Sequence, residues 1–471
     1  MPSPPFPRTG EQIGPDNHLW TAVGKPLLRF RRIAGVLGLF SVLFFARSFS
    51  NYFVADDFQF LGRVNLFNAG MYFAKSWGYG NEYRPLLPYS YALDAYISGE
   101  NAFGYHLTNT LLHTANGVLI SALAIEIGIS PWAAPFAGLI YILNPVCHEA
   151  VLWISGRPVV LSTFLILSCI WVFMRAVQTG QTKPWLWPVP YGLFLLALGT
   201  YELAIVTPLL IGFMCCLRNG MNREGRGHLL ALMLIAVTYA LFWNWFFDFR
   251  FTRIKIEHSM LAIIANFGQA VTHSLHGGLR IAVLPFYLGL LGWFCRTRRG
   301  RMILFGALVW FMISYLPYFA VKGYADRFAY LASASTAVLL AIAIREITNN
   351  SRRMQTAAIA LFVCYLGMGM QNRITAWKEA GQIAKYIPSE VKRQLPVFPL
   401  DSEVVLLNIP AMHKRSSVFL TGLDRALERE YPGTNIHFST AVDPSTSDSA
   451  TIFEYTQGRI VRRRRSEVLS P

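Results

Sequence analysis

Four short segments of the sequence carry carboxylates, arginines and a histidine, the side-chain types that accept protons or bind phosphate. The first, VADDFQF (54–60), places two aspartates side by side, and adjacent carboxylates usually need a cation, a phosphate-bound metal or a shared proton nearby. The other three are NPVCHEAVLWISGRP (144–158), GTYELA (199–204) and KGYADRFAYL (322–331). Arginine suits bidentate phosphate binding, and an ionised aspartate suits general-base catalysis. The candidate catalytic residues are Asp56 and Asp57, and the candidate substrate-binding residues are Lys75, Arg84, His148, Glu149, Arg157, Glu202, Asp326 and Arg327.

These residues lie in loops between long apolar segments. Of the 471 residues, 54% are apolar and only 14% are charged, against about 25% charged in a soluble domain. The apolar runs are long enough to cross a bilayer as helices, which predicts an all-α polytopic membrane protein. The predicted transmembrane helices, about eleven, are 33–50, 105–127, 132–147, 158–175, 186–201, 203–217, 229–247, 279–295, 302–320, 328–345 and 354–370. Segment 260–278, apolar on one side only, is predicted to be an interfacial or re-entrant helix.

The distribution of lysine and arginine predicts which loops face the cytoplasm. One set of loops consists of the N-terminal segment 1–32 and every second loop after it. Together with the adjoining span ends, this set carries 17 of the 42 basic residues and only 5 of the 26 acidic residues. This predicts a cytoplasmic N-terminus and places all four chemical segments on the outer face. Each segment alone has an ordinary structural explanation, such as a helix cap or a packed histidine. Their location on one side of the membrane favours a common site.

This topology also explains the excess of basic residues. A formal net charge of +16 would suggest a nucleic-acid partner in a soluble protein. Most of the excess lies on the predicted cytoplasmic loops, so no nucleic-acid partner is predicted. The run RRRR (462–465) is predicted to be a solvated tail, with contact to anionic lipids as the alternative. The six cysteines lack the spacing of a metal site, so no metal is predicted.

The composition changes after residue 370, which divides the chain into three predicted parts. These are a cytoplasmic N-terminal segment (1–32), a transmembrane domain (33–370) and a small α/β extracytoplasmic domain (371–471). In the last part, EVVLLNI (403–409) predicts a strand. SVFLTGLDRALEREY (417–431) predicts a helix that starts at Ser416 or Ser417.

Three longer strings resemble the C-type integral-membrane glycosyltransferase superfamily. The closest likeness is to bacterial relatives of the transmembrane O-mannosyltransferases that carry tetratricopeptide repeats. The strings are YRPLLPYSYALDAYISGENAFGYHLTNTLLHTANGVLI (83–120), NPVCHEAVLWISGR (144–157) and ADRFAYLASAS (325–335), with ADD (55–57) at the acidic first-loop position. The chain departs from that family by carrying Asn144 and Cys147 in place of the histidines before the glutamate, and by having no repeats.

The resemblance implies a membrane glycosyltransferase that moves a sugar, with inversion, from a polyprenyl-phosphate donor to a lipid, glycan or protein acceptor on the outer face. Asp56 or Asp57 would be the general base, and Glu149, Arg157 and Arg327 would bind the phosphate or the lipid head group. The superfamily includes enzymes that work without a metal, so no cofactor is expected. The implied location is a bacterial inner membrane, with membrane lipids as partners.

Two other functions would use the same charged residues. A transporter or flippase for a lipid-linked anion would bind the phosphate without reacting with it, but the paired inverted repeats of many transporters are not visible in the sequence. A non-catalytic assembly protein would use the outer loops only as a scaffold. Consumption of the donor without a membrane gradient distinguishes an enzyme from a transporter.

Overall fold

The computed structural model describes most of the chain and is mostly helical. The described residues are 33–77, 82–178, 186–218, 220–246, 259–276, 284–319, 321–348, 351–397, 404–433, 438–440 and 450–469. The predicted cytoplasmic segment 1–32 lies outside these ranges. The helices before the C-terminal region are α1 (Ile33–Ser50), α2 (Asp57–Phe60), α3 (Leu87–Ser98), α4 (Ala102–Glu126), α5 (Ala134–Leu143), α6 (His148–Leu152), α7 (Arg157–Gln178), α8 (Pro188–Leu198), α9 (Thr207–Leu217), α10 (Arg223–Phe246), α11 (Met260–His276), α12 (Leu284–Arg296), α13 (Arg298–Tyr315), α14 (Ser333–Ile347) and α15 (Arg352–Gln394).

The prediction of a multi-pass membrane protein is confirmed, but the count of eleven spans is not. Among the described residues, five helical segments are long and apolar enough to cross a bilayer: α1, Ile154–Val177, α10, Arg298–Tyr318 and α15. The pair α5 and α6, bent by 51°, adds a sixth if it crosses as one broken span. Helices α8 and α9 are apolar but have only 11 residues each. Helix α4 has 25 residues, but it carries a row of buried polar side chains, including His106, Asn109, His113 and Asn116.

Helix α15 joins the membrane region to the C-terminal region without a break. It has 43 residues and, at 1.5 Å per residue, extends for about 65 Å. The predicted boundary between residues 370 and 371 falls inside this helix, and the first described strand beyond it begins at Val404. The division into three domains stays a prediction.

The C-terminal region is a small α/β unit, as predicted. Its strands are β1 (Val404–Leu407), β2 (Met412–His413), β3 (Ser416–Ser417), β4 (Phe438–Ser439), β5 (Thr451–Thr456) and β6 (Arg459–Arg463), with helices α16 (Leu423–Glu430) and α17 (Arg465–Leu469). The sheet order is β4-β1-β5-β6, with β1 parallel to both of its neighbours and β5 antiparallel to β6. The apolar run in 403–409 therefore forms the buried central strand β1.

The predicted helix at 417–431 is only partly correct. Its first residues form β3, which pairs with β2, and the helix proper begins after Gly422. Gly422 has a φ of 80°, which is strained for residues with a side chain. The apolar pattern alone did not show that the segment before this glycine packs as an extended chain.

The loops that carry the four chemical segments meet at one end of the helical bundle. Hydrogen bonds join the loop after α1 to the bent turn between α5 and α7 and to the turn between α8 and α9. The bent turn in turn binds the loop before α14. Helix α11, the segment predicted to be interfacial or re-entrant, adds a side chain to the same end through His273. Neither the sidedness nor the interfacial character is tested by these contacts, so both stay predictions.

Candidate functional site

The dipeptides His148–Glu149 and Asp326–Arg327 pair with each other across the site. His148 Nε2 lies 2.9 Å from Asp326 Oδ2. Arg327 binds Glu149 twice, through a salt bridge from Nη1 and a backbone N–H bond of 3.1 Å to Oε2. Complementary charges thus hold together two segments that are 178 residues apart in the sequence. Their location on one predicted face of the membrane suggested this contact.

The proton positions at this pair follow from a tryptophan on α15. Trp377 Nε1, which can only donate, lies 2.9 Å from His148 Nδ1. His148 therefore accepts at Nδ1 and donates its own proton from Nε2 to Asp326. His273 Nδ1 lies 2.6 Å from Asp326 Oδ1. Burial opposes ionisation of Asp326, but the hydrogen bonds from the two histidines outweigh it and hold the pKa of this carboxyl well below its usual value.

Arg327 remains partly open to the outside of the protein. Its side chain is 31% exposed. Its positive charge is paired with the carboxylate of Glu149. The guanidinium lies over the rings of Trp153 and Phe328, at 5.5 and 5.2 Å from the ring centres. Stacking holds the guanidinium plane while leaving N–H groups at its edge available. Arg327 is therefore placed to bind an anionic group.

A second arginine lies at the same end of the bundle. Arg84 binds Glu202 with both Nε and Nη2, at 3.2 and 3.0 Å, and pairs with Glu82 at 2.8 Å. Its guanidinium also lies 4.5 Å from the centre of the Tyr201 ring. Arg84 and Glu202, both predicted site residues, are thus brought together. Glu82 and Tyr201 were not predicted, although Glu82 lies two residues before Arg84 and Tyr201 lies next to Glu202.

Asp56 lies within electrostatic range of these two arginines. Burial raises the pKa of this carboxyl, while hydrogen bonds and the charges of Arg327 and Arg84 lower it, and burial prevails. Thr421 Oγ1 and Gln59 Nε2 both donate to Oδ1, the latter over 3.1 Å. No hydrogen bond from the described part of the chain reaches Oδ2. One oxygen of Asp56 is therefore fixed and the other is available to accept a proton.

Asp57 has a different environment. Its side chain is 1% exposed, and both oxygens are occupied by donors. Oδ1 accepts from the backbone N–H and the hydroxyl of Ser155, at 2.8 and 2.6 Å, and Oδ2 accepts from the Val54 N–H at 3.0 Å. Asp57 therefore ties the first loop, which connects α1 to α3 and includes α2, to the turn before α7. This arrangement leaves no oxygen for an acceptor hydroxyl, so it does not support the prediction that Asp57 is a catalytic base.

The buried Asp57 carboxyl gives a testable pH dependence of stability. Burial raises its pKa from 3.8 to about 7 despite the hydrogen bonds from Ser155. Between these values the folded protein holds a proton that the unfolded chain has lost, so the stabilisation is complete below about pH 4 and disappears as the pH rises through about 7. The melting temperature of the wild type, measured relative to that of Asp57→Asn, should fall as the pH is raised from about 5 to 7.

The matched control for this measurement is Asp424→Asn, which alters a half-exposed carboxylate on α16. Its melting curve should keep the pH dependence of the wild type. Parallel curves for the wild type and Asp57→Asn would contradict the assignment of the proton to Asp57.

Arg157 was predicted to bind substrate, and its buried position does not support that role. The side chain is fully buried and pairs with Asp94. It also donates to Asn109 Oδ1 at 2.8 Å and to the Tyr105 carbonyl at 2.9 Å. A phosphate could reach the guanidinium only by breaking these contacts. Arg157 is a packing residue that joins the start of α7 to α3 and α4.

The remaining predicted residue, Lys75, is exposed in the first loop. No hydrogen bond or ion pair joins it to the other predicted site residues within the described ranges. Positive charge at the site therefore comes from Arg84 and Arg327. Among the described residues, no group of three His, Cys, Asp or Glu side chains has an arrangement that could hold a metal ion, and whether the reaction uses a metal stays a prediction.

Three further residues at the site were missed or left without a role. Trp377 and Thr421 lie after residue 370 and contact His148 and Asp56, respectively. His273 lies in segment 260–278, for which the sequence predicted an interfacial or re-entrant helix and no part in the site. A tryptophan or a threonine carries no signal of its own in a sequence, so these contacts became visible only in three dimensions.

Solved structures resemble this arrangement of helices. ArnT from Cupriavidus metallidurans bound to undecaprenyl phosphate aligns over 90% of this chain and 87% of its own, with a TM-score of 0.51. The sequence identity is 12%, so this likeness shows the fold alone. The fold is therefore similar to that of ArnT.

Curated proteins match part of the sequence. Human protein O-mannosyl-transferase TMTC2 is 36% identical over 119 residues, and mouse protein O-mannosyl-transferase TMTC4 is 26% identical over 175 residues. The matches cover 25% and 31% of this chain but only 14% and 24% of those proteins, and no protein-family model matches the chain. The predicted resemblance to the C-type superfamily, and within it to the transmembrane O-mannosyltransferases, is confirmed.

Proposed function

We propose that the protein is a glycosyltransferase that moves a sugar from a polyprenyl-phosphate donor to the hydroxyl of a lipid, glycan or protein acceptor at the outer face of a bacterial inner membrane. The observation that carries the proposal is the open oxygen of Asp56 within electrostatic range of two arginines. A base and a phosphate-binding guanidinium at one site are what this reaction requires. The relatives named above support the class of reaction.

In the proposed reaction, the acceptor hydroxyl donates its proton to Asp56 Oδ2 while its oxygen forms a bond to the sugar carbon C1. The bond between C1 and the phosphate oxygen breaks, and the leaving polyprenyl phosphate takes that electron pair. Attack from the face opposite the phosphate inverts the configuration at C1. The negative charge that develops on the phosphate is stabilised by Arg327, with Arg84 adding positive potential.

The membrane region offers space for an apolar lipid chain. A cavity of about 400 Å³ lies between α4, α7, α9, α13 and α14, and its lining is mainly apolar. It extends along α14 from Ala334, seven residues after Arg327 in the sequence, towards Arg345 at the other end of that helix. This lining suits a prenyl chain rather than a sugar, which supports a lipid-linked donor.

Product release by the purified protein tests the proposed function. The detergent-solubilised protein is incubated with undecaprenyl-phosphate hexoses and pentoses and an extract of membrane lipids, glycans and proteins, and undecaprenyl phosphate is quantified by mass spectrometry. Release without a membrane gradient is the expected result. Intact donors after incubation with every sugar, in a folded preparation, would overturn the proposal. In protein reconstituted into liposomes, transport of the donor between leaflets without its consumption would indicate a transporter.

Arg327→Gln should weaken the binding of undecaprenyl phosphate. Glutamine keeps a polar side chain but removes the charge, and a charge-assisted hydrogen bond contributes about 1.5–3 kcal/mol. The dissociation constant, measured by ligand-dependent shifts in melting temperature, should rise by about tenfold or more.

The control for Arg327→Gln is Arg226→Gln, which removes an exposed charge near the start of α10. It should bind the lipid phosphate as the wild type does. Equal weakening in both variants would show that the effect is one of net charge and not of the site.

A further inference from the structure

A segment of the C-terminal region, Ser416–Gly422, lies directly against the candidate base. Its residues up to Phe419 are buried. Within this docking segment, Val418 O accepts the Ala55 N–H at 2.9 Å, and Phe419 stacks on Phe58 with ring centres 6.1 Å apart. Thr421 donates its hydroxyl to Asp56 Oδ1. The docking segment therefore contacts three of the residues from 55 to 58.

At Gly422 the docking segment lies too close to the first loop for a residue with a side chain. A Cβ atom at Gly422 would lie 2.2 Å from the Ala55 carbonyl oxygen. Ala55 itself has a φ of 46°, an uncommon conformation for a residue other than glycine. The first loop thus holds a strained backbone just before Asp56, and the docking segment fits against it.

Ion pairs flank this contact on the surface. Arg63 pairs with Glu428 at 2.5 Å, and Arg429 pairs with Glu100 at 2.7 Å. Exposed pairs of this kind contribute little to stability. The buried docking segment is therefore the main contact that fixes the C-terminal region on the first loop.

We propose that Thr421 is a positioning residue for Asp56, so that the C-terminal region completes the proton-accepting site of the membrane region. This proposal rests on the proposed function. The Thr421 hydroxyl and the Gln59 amide both bind Oδ1, which fixes the plane of the carboxylate and turns Oδ2 away from both donors. Asp56 Oδ2 is then oriented to accept the proton of the acceptor hydroxyl only when the C-terminal region is docked on the first loop.

Thr421→Val and Thr421→Ser together test the proposal. Valine keeps the shape of threonine but has no hydroxyl, whereas serine keeps the hydroxyl. The hydrogen bond favours the ionised form of Asp56, so its loss should move the acid limb of the kcat profile of sugar transfer to higher pH, by about one pH unit. On the acid limb we expect kcat to fall roughly tenfold in Thr421→Val with little change in KM, and to recover in Thr421→Ser.

A second measurement does not depend on turnover. Carbodiimides label protonated carboxyl groups. Mass spectrometry across a pH series, with fragmentation that separates Asp56 from Asp57, therefore follows the protonation of Asp56. Labelling should persist to higher pH in Thr421→Val than in the wild type. The control is Thr356→Val, which removes a hydroxyl that bonds the Arg352 carbonyl within α15 and should leave both readouts unchanged.

The outcomes distinguish this proposal from the proposed function. A labelling midpoint in Thr421→Val equal to that of the wild type would overturn the positioning role, as would a Thr421→Ser protein that behaves like Thr421→Val. A folded wild-type protein that consumes no donor would refute the proposed function, while the labelling midpoints would still decide whether Thr421 sets the state of Asp56.

Discussion

Asp56→Asn is expected to lower the rate of sugar transfer by about 10²–10⁴-fold, the usual contribution of a general base. Asparagine has nearly the same shape but cannot accept a proton from the acceptor at neutral pH. Burial raises the pKa of Asp56 above that of a free aspartate, which makes the carboxylate a stronger base. The rate should fall in kcat, because donor binding depends on the arginines. Single-turnover release of undecaprenyl phosphate measures this step.

Asp57→Asn is the informative comparison for Asp56→Asn. The amide nitrogen of an asparagine at this position would face a donor from Ser155 or Val54, so the variant should melt at a lower temperature. The fraction that stays folded should keep much of its activity, because Asp57 offers no oxygen to the acceptor. Glu467→Gln, an exposed change on α17, serves as the control for both. Full activity in Asp56→Asn would refute the assignment of the base.

The sequence predicted that the pairs at 148–149 and 326–327 belong together. Lysine and arginine counts placed both on one predicted face, and opposite charges on one face of a bundle pair readily because little water screens them there. The contacts His148–Asp326 and Glu149–Arg327 are the result. This part of the site depends on charge and sidedness, which a single sequence contains.

The choice between Asp56 and Asp57 could not be made from the sequence. The two residues are neighbours of the same type, and they differ only in the direction that the backbone gives them. That direction depends on the left-handed conformation of Ala55 and on the short helix α2 after it. Nothing in VADDFQF predicts a positive φ at an alanine.

Contacts made by the C-terminal region were beyond prediction for a related reason. Thr421 meets Asp56 across 365 positions of sequence, and the segment that carries it was predicted to be helical. Periodicity favoured a helix because Leu423, Ala426 and Leu427 share one face of α16. Only the close packing of Gly422 against Ala55 shows why the preceding residues are extended.

Replacing Arg157 with methionine is expected to destabilise the fold by about 3–5 kcal/mol, the usual effect of removing one partner from a buried ion pair. Asp94 would remain buried without its cation, and Asn109 Oδ1 and the Tyr105 carbonyl would lose their donors. The variant should give a lower yield of folded protein. Its melting temperature, measured by size-exclusion chromatography of samples heated to increasing temperatures, should also be lower. Arg353→Met, which alters an exposed arginine on α15, should behave as the wild type.

Arg157→Lys distinguishes the role of the guanidinium shape from that of its charge. Lysine keeps the positive charge near Asp94 but cannot reach several acceptors at fixed angles as arginine does. The lysine variant should therefore be nearly as unstable as the methionine variant. A lysine variant with the stability of the wild type would show that charge alone matters at this position.

Lipid binding decides between packing and phosphate recognition at Arg157. The fraction of Arg157→Met that remains folded should bind undecaprenyl phosphate with the affinity of the wild type, because the buried guanidinium does not face the site. Wild-type stability combined with lost binding would restore the substrate-binding role predicted from the sequence. The expected result, lost stability with retained binding, would place Arg157 in the packing of α7 against α3 and α4. Arg327 and Arg84 would then be the arginines that meet the donor.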